Sequence, residues 1–237
     1  MSRILFALVF VFFCLNSGSG QDFHTPVKHF TRVVASPHIN VILKRGDEES
    51  VRVVYRNVDP EQINVAVKGK TLKLYLDGAR KLEKRISTNE YDSVWVTAYV
   101  TYKELELLEI RGSQQLTCLD PIQADAFTLR GYGENDIHLT SLKVGFFKAK
   151  LYGRNDLRVL EGRTLEQKYK LHGNNRIDSH GLMSDYIITS IFGEGLLRIN
   201  SLEEVRIDAF GEPRILVDGG AQIHRRLVFG NADIQSN

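Results

Sequence analysis

Apolar and polar residues alternate along most of this chain. Residues 51–55, 63–67, 72–76 and 94–100 each have an apolar residue at every second position, which is the pattern of a strand with one buried face. Turn residues such as Asp59-Pro60 and Gly69-Lys70 separate the runs. No segment has convincing helical periodicity, since even the leucines of 102–110 fit a strand. The pattern predicts an all-β protein.

A glycine recurs about every twenty residues in the second half of the chain. Each is followed four residues later by Leu or Ile, and each is preceded two residues earlier by an apolar or small residue. The seven are Gly112, Gly133, Gly153, Gly173, Gly193, Gly211 and Gly230. Such a period indicates one short unit of two or three strands, repeated so that each copy buries its apolar face against the next. It predicts a right-handed parallel β-helix, a β-solenoid with about 20 residues per turn; the hand follows from the general preference of parallel crossovers.

Residues 1–20 have the pattern of a secretory signal peptide. Arg3 supplies a positive charge, an apolar run covers 4–15, and small residues precede an expected cleavage site before Gln21. The run is shorter than a transmembrane helix, and no later stretch could span a membrane. We therefore expect an exported protein, in the periplasm or at the cell surface, with no integral membrane segment in the mature chain.

Residues 21–237 are expected to form a single domain. Within this domain, the N-terminal strands that start the stack are expected in 30–110, which also contain a variable charged surface loop at 77–92. The glycine-marked repeats follow in 111–237. Segment 33–41 resembles the repeat in sequence, with Ala35 at the position that glycine occupies in the later units. Of two cysteines only Cys118 survives signal cleavage, so no intrachain disulfide is possible, and its inward position predicts a buried thiol.

The charge balance and the motifs exclude several classes of partner. The chain has 31 Lys and Arg against 29 Asp and Glu, and loss of Arg3 leaves a mature charge near +1. A net charge this small does not attract nucleic acid or an anionic bilayer. The seven histidines lack zinc-site spacing, and no nucleophilic-serine or phosphate-loop motif is present. We expect no metal, no cofactor and no nucleic-acid partner.

The residue before each glycine forms the first of three candidate columns, since equivalent positions of stacked turns lie roughly 4.8 Å apart. After Arg111 in the first unit, this column holds Tyr132, Tyr152, His172, Phe192, Phe210 and Phe229. With strict alternation it points outward, and its ring faces could stack on sugars or on other apolar partners. The alternative is structural: a bulge at glycine turns the rings inward, or an N-terminal segment covers them.

The other two columns are polar. One column contains the asparagines two residues after their glycines: Asn135, Asn155 and Asn175. Their spacing predicts a structural ladder of hydrogen-bonded amides. Three residues after their glycines stand Asp136, Asp156 and Arg176. This trio could imitate the calcium-binding acids and the proton-removing base of β-helix polysaccharide lyases. An exposed ladder of ion pairs, which Glu134 and Arg154 would extend, explains the same charges without catalysis.

In the order of these features, the chain resembles members of the head GIN domain family. The resemblance covers about residues 30–237: an alternating N-terminal stretch, a variable loop, the segment Glu104–Gly112 and reiterated Gly-x-x-x-[Ile/Leu] turns. The family turn usually has two glycines around a small residue, and only Gly131-Tyr132-Gly133 keeps both glycines here. The resemblance implies a bacterial envelope protein of the kind described as auto-transporter adhesins, and it supplies no catalytic residues.

We therefore expect a secreted, non-catalytic binding or surface-interaction module of the bacterial envelope. Its expected partner is a glycan or another envelope protein, bound through the aromatic column. One alternative is a polysaccharide lyase or hydrolase centred on Asp136, Asp156 and Arg176. The other is a purely structural envelope component that stacks end to end.

Overall fold

The computed structural model describes residues 21–79 and 95–236. The predicted signal peptide, 1–20, and most of the predicted loop, 77–92, lie outside these residues. The described chain is all-β, as the alternation predicts, and includes the 3₁₀ segment Pro60–Gln62. None of the described residues belongs to a helix long and apolar enough to cross a membrane.

Eleven strands make up the described chain. They are β1 (Gln21–Pro26), β2 (Arg32–Ala35), β3 (Asn40–Arg45), β4 (Ser50–Arg56), β5 (Ile63–Lys68), β6 (Thr71–Leu76), β7 (Trp95–Tyr102), β8 (Leu107–Cys118), β9 (Ile122–Asp218), β10 (Gln222–Gly230) and β11 (Asp233–Ser236). The 97 residues of β9 include most of the glycine-marked repeats.

The N-terminal strands form a mixed sheet in the order β1-β4-β7-β3-β8-β2-β6-β5. Pairing is antiparallel between β1 and β4, β4 and β7, and β5 and β6. It is parallel where β2 and β3 meet β8, with Ala35 opposite Ile110 and Val41 opposite Leu116. The prediction that Ala35 takes the glycine place is wrong by two residues, because Pro37 is the residue that packs against Gly112.

The repeats pair in parallel, with equivalent positions side by side. In the pairing of β8 with β9, Gly112 lies opposite Gly133 and Leu116 opposite Ile137. In the last unit, Gly230 of β10 lies opposite Gly211, and β11 pairs with 214–217. Residues about twenty apart in sequence are therefore neighbours, as the glycine period predicts.

The interior consists of the side chains that the repeat predicts. The non-glycine residues two before and four after the glycines are no more than 3% exposed from Ile110 to Ile215. In the last unit the same positions are more open, since Val228 is 36% exposed. Cys118 is fully buried, as predicted, with its Sγ 3.4 Å from the Tyr102 hydroxyl. Burial raises the pKa of this thiol to about 11.

The glycines allow the backbone to pass close to its neighbour. Gly153 has a φ of 108°, and a Cβ built on it would lie 2.3 Å from the carbonyl oxygen of Gly133. A side chain there would need an unfavourable backbone conformation and would also clash with the preceding repeat. The glycines therefore fix where each repeat bends, which brings the residues just before and after them into columns.

Candidate binding surface

The residues before the glycines form a continuous stack of six rings. Successive ring centroids are 5.3, 4.7, 4.8, 4.8 and 5.4 Å apart from Tyr132 to Phe229, and successive ring planes are within 14° of parallel. The guanidinium of Arg111 lies over the Tyr132 ring, 5.9 Å from its centroid, and closes the first end. We call this column, from Tyr132 to Phe229, the ring stack.

The ring stack lies on the outside of the protein. Tyr132, Phe192 and Phe229 are 36%, 39% and 60% exposed, and Tyr152, His172 and Phe210 are half-buried. The ring faces contact one another, so the stack presents mainly ring edges to solvent. Stacking of a sugar on a ring face, as the sequence suggests, fits the outer end of the stack at Phe229 and not the inner rings. A partner of the inner rings would meet their edges, which carry the positive part of the aromatic quadrupole.

A ladder of asparagines holds the backbone beneath the first three rings. Asn135 Nδ2 donates to Asn155 Oδ1 at 2.8 Å, and Asn155 Nδ2 donates to Asn175 Oδ1 at 2.9 Å. Each amide also donates to the carbonyl of the ring residue three positions earlier, at 3.0–3.4 Å. All three side chains are buried. This confirms the predicted structural ladder, and it ties the position of each ring to that of the next.

His172 takes an aromatic place in the middle of the stack. Its ring is nearly parallel to those of Tyr152 and Phe192 at 4.7 and 4.8 Å. Burial lowers the pKa of His172 below its ordinary value, and the positive charge of Lys170 lowers it further. Neutral imidazole is thus the form that the stack favours.

The trio of the alternative enzyme site lies at the surface, where Asp156 pairs with arginines and Asp136 contacts an imidazole. Asp136 Oδ1 is 2.8 Å from Nε2 of His138, and Asp156 is 3.4 Å from Arg158 and 3.9 Å from Arg176. Glu134 and Arg154 pair across repeats at 3.9 Å. No group of three His, Cys, Asp or Glu side chains in 21–79 and 95–236 is arranged to hold a metal ion. This geometry is that of a ladder of exposed ion pairs.

A basic strip beside the ring stack was not predicted from the sequence. Of the six outward positions three and five residues before three successive glycines, all but Thr128 are basic, and these five residues form the strip: Arg130, Lys148, Lys150, Lys168 and Lys170. Alternate residues of a strand point to the same side, so these cations share the face of Tyr132, Tyr152 and His172. The signal for the strip in the sequence is the recurrence of Lys or Arg at these positions before the glycines.

A surface cavity lies apart from the predicted site residues. It has a volume of about 910 Å³ and charged walls. Arg32, Arg45, Glu104, Glu106, Asp125, Arg130 and Lys143 supply the charged side chains. Only Arg130 belongs to the basic strip, and none of these residues belongs to the ring stack.

The chain belongs to the family described as "Putative auto-transporter adhesin, head GIN domain", which matches residues 29–221. This confirms the family predicted from the sequence. The sequence matches no curated protein.

Solved structures of proteins from Bacteroides fragilis and Parabacteroides distasonis share the fold. A "putative adhesin" of Bacteroides fragilis is 18% identical with a TM-score of 0.78, and one of Parabacteroides distasonis is 13% identical with a TM-score of 0.73. A "putative lipid binding protein" of Parabacteroides distasonis is 14% identical with a TM-score of 0.64. In each case 93% of this chain and 98% of the other are covered. At such identities the likeness describes the fold alone.

Proposed function

We propose that this protein is an exported, non-catalytic binding module of the bacterial envelope, located in the periplasm or at the cell surface. In this proposal, repeats of about 20 residues form a right-handed parallel β-helix, and the ring stack on its outside contacts a glycan or another envelope protein. The adhesin-type family description supports the class of function.

The observation that carries the proposal is the outward ring stack. Its three most exposed rings are 36%, 39% and 60% exposed, and no described segment covers them as the structural alternative requires. Aromatic edges in a row form an apolar strip, of the kind that contact surfaces use. The Asn135–Asn175 ladder holds the backbone beneath the first three rings, so little conformational freedom would be lost there on binding.

The test is binding of the mature chain, residues 21–237, to an immobilised glycan panel and to envelope extracts. Tyr132→Ala and Tyr152→Ala should weaken retention about tenfold, equivalent to roughly 1.4 kcal/mol. Tyr99→Ala is the matched control, because Tyr99 is a half-buried, outward-facing tyrosine of β7 that lies outside the stack.

Thermal unfolding of each variant shows that it is folded before affinities are compared. Tyr132→Ala is the milder variant, because Tyr132 has only one ring neighbour, Tyr152. Unchanged retention by both folded ring variants, or an equal loss in Tyr99→Ala, would refute a role of the ring stack in binding.

A further inference from the structure

The basic strip concentrates positive charge, most of which no ion pair of the described residues neutralises. The acidic side chains beside it are Glu109, which pairs with Arg130 at 3.3 Å, and Glu166, two residues before Lys168. Among the ion pairs of the described residues, none involves Lys148, Lys150, Lys168 or Lys170. Within 21–79 and 95–236, the four lysines of the strip therefore have no ion-pair partner.

These cations are close enough to repel one another. Burial lowers the pKa of Lys148, and the charges of Lys150, Lys168, Arg130 and Lys170 lower it further. Like charges side by side on a sheet destabilise it. A face with a purely structural role would be more stable if positive and negative side chains alternated, as Asp156 and Arg176 do on another side of the same repeats. The cost is offset when an anionic partner binds.

The surroundings of the strip select among anionic partners. On one side run the edges of Tyr132, Tyr152 and His172, which are electropositive and attract oxygen atoms. On the other side stands Phe146, 51% exposed, two residues before Lys148. Charged groups at intervals of roughly 4.8 Å, bordered by apolar edges, fit a chain of pyranose rings that carry one carboxylate or sulfate each.

We infer that the basic strip and the neighbouring ring edges bind a linear acidic polysaccharide that lies across three successive repeats. This inference rests on the proposed function and narrows its ligand to an acidic glycan. The lysines contact the acidic groups, and the ring edges and Phe146 contact the sugar rings.

The experiment measures binding of the mature chain to polygalacturonate at low and at physiological salt, with neutral dextran and single-stranded oligothymidylate as comparison polymers. The variant replaces Lys148, Lys150, Lys168 and Lys170 by Gln. The matched control replaces four exposed lysines elsewhere by Gln, which changes net charge equally: Lys44, Lys68, Lys70 and Lys73.

We expect polygalacturonate to bind, dextran to bind at least about tenfold more weakly, and binding to weaken as salt screens the charges. The strip variant should lose about tenfold or more in affinity, because several small exposed charge contacts are removed together. The control variant should bind like the unmodified chain. Binding of oligothymidylate as tight as that of polygalacturonate, or an equal loss in both variants, would overturn the inference.

Failures of the two proposals give different results. If dextran binds as well as polygalacturonate and only the ring variants lose binding, the ring stack binds glycans and the acidic-ligand inference is wrong. If the strip variant loses polygalacturonate and the ring variants do not, the charge inference holds and the ring proposal is wrong. If no glycan binds, the inference is overturned, and the proposed function then depends on an envelope-protein partner.

Discussion

Replacement of Gly153 by alanine tests whether close contact between successive repeats holds the stack together. Gly153 has a φ of 108°, outside the left-handed helical region that an L residue tolerates best. Its hypothetical Cβ would lie 2.3 Å from the oxygen and 3.1 Å from the carbon of the Gly133 carbonyl. Both atoms belong to backbone, so no flexible side chain can move aside.

Two costs add in this variant. An unfavourable φ costs on the order of 1–3 kcal/mol, and forcing a methyl group into packed backbone typically costs about 1–3 kcal/mol more. We expect a loss of roughly 2–6 kcal/mol, a large part of the about 5–15 kcal/mol that stabilises a typical domain. The entropy that alanine removes from the unfolded chain opposes this slightly.

Gly69→Ala is the control, because it shares the positive φ and lacks the clash. Gly69 has a φ of 60°, and nothing lies within 4 Å of its hypothetical Cβ. It should lose only about 1–2 kcal/mol, and its unfolded-chain entropy changes by the same amount as in Gly153→Ala. Urea unfolding followed by circular dichroism measures both. Equal losses in the two variants would show that contact between the Gly133 and Gly153 backbones is not what requires glycine.

Two further predictions concern titratable groups. Cys118 should not react with a maleimide at pH 8 until the chain unfolds, because the thiol is fully buried and its pKa is raised to about 11; rapid labelling in native buffer, measured by mass spectrometry, would contradict this. The pKa of His172 is lowered in the folded state, so the unfolded chain binds more protons and stability should fall as the pH drops below the unfolded value of about 6.5. His172→Phe, which keeps an aromatic ring between Tyr152 and Phe192, should lose less stability between pH 7 and pH 5 in urea titrations; identical pH profiles would show that His172 does not titrate as proposed.

The repeats could be predicted from the sequence because one-dimensional spacing becomes direct contact in them. Ile137 and Leu157 are buried where the period places them, and Asn135 bonds to Asn155 as the spacing indicates. The N-terminal strands could not be paired in this way. Alternation of apolar residues shows which face of a strand is buried and not which strand lies beside it. The antiparallel partners of β4 are therefore not predictable from it, nor is the register that puts Pro37, and not Ala35, against Gly112.

An aromatic side chain that points outward need not expose the face of its ring to a ligand, as the ring stack shows. Packing of rings on one another is favourable in itself, so a column of aromatics at each repeat satisfies its own faces and leaves edges for a partner. The asparagine ladder and the basic strip are confined to the same three repeats, those of Gly133, Gly153 and Gly173, whereas the rings continue to Phe229. Two of these three repeats, those of Gly153 and Gly173, carry the four lysines that have no ion pair among the described residues, and the ring positions of both repeats are held by buried amides. A rigid surface loses little entropy when it binds, so these three repeats are the part of the molecule best prepared to hold an extended acidic ligand.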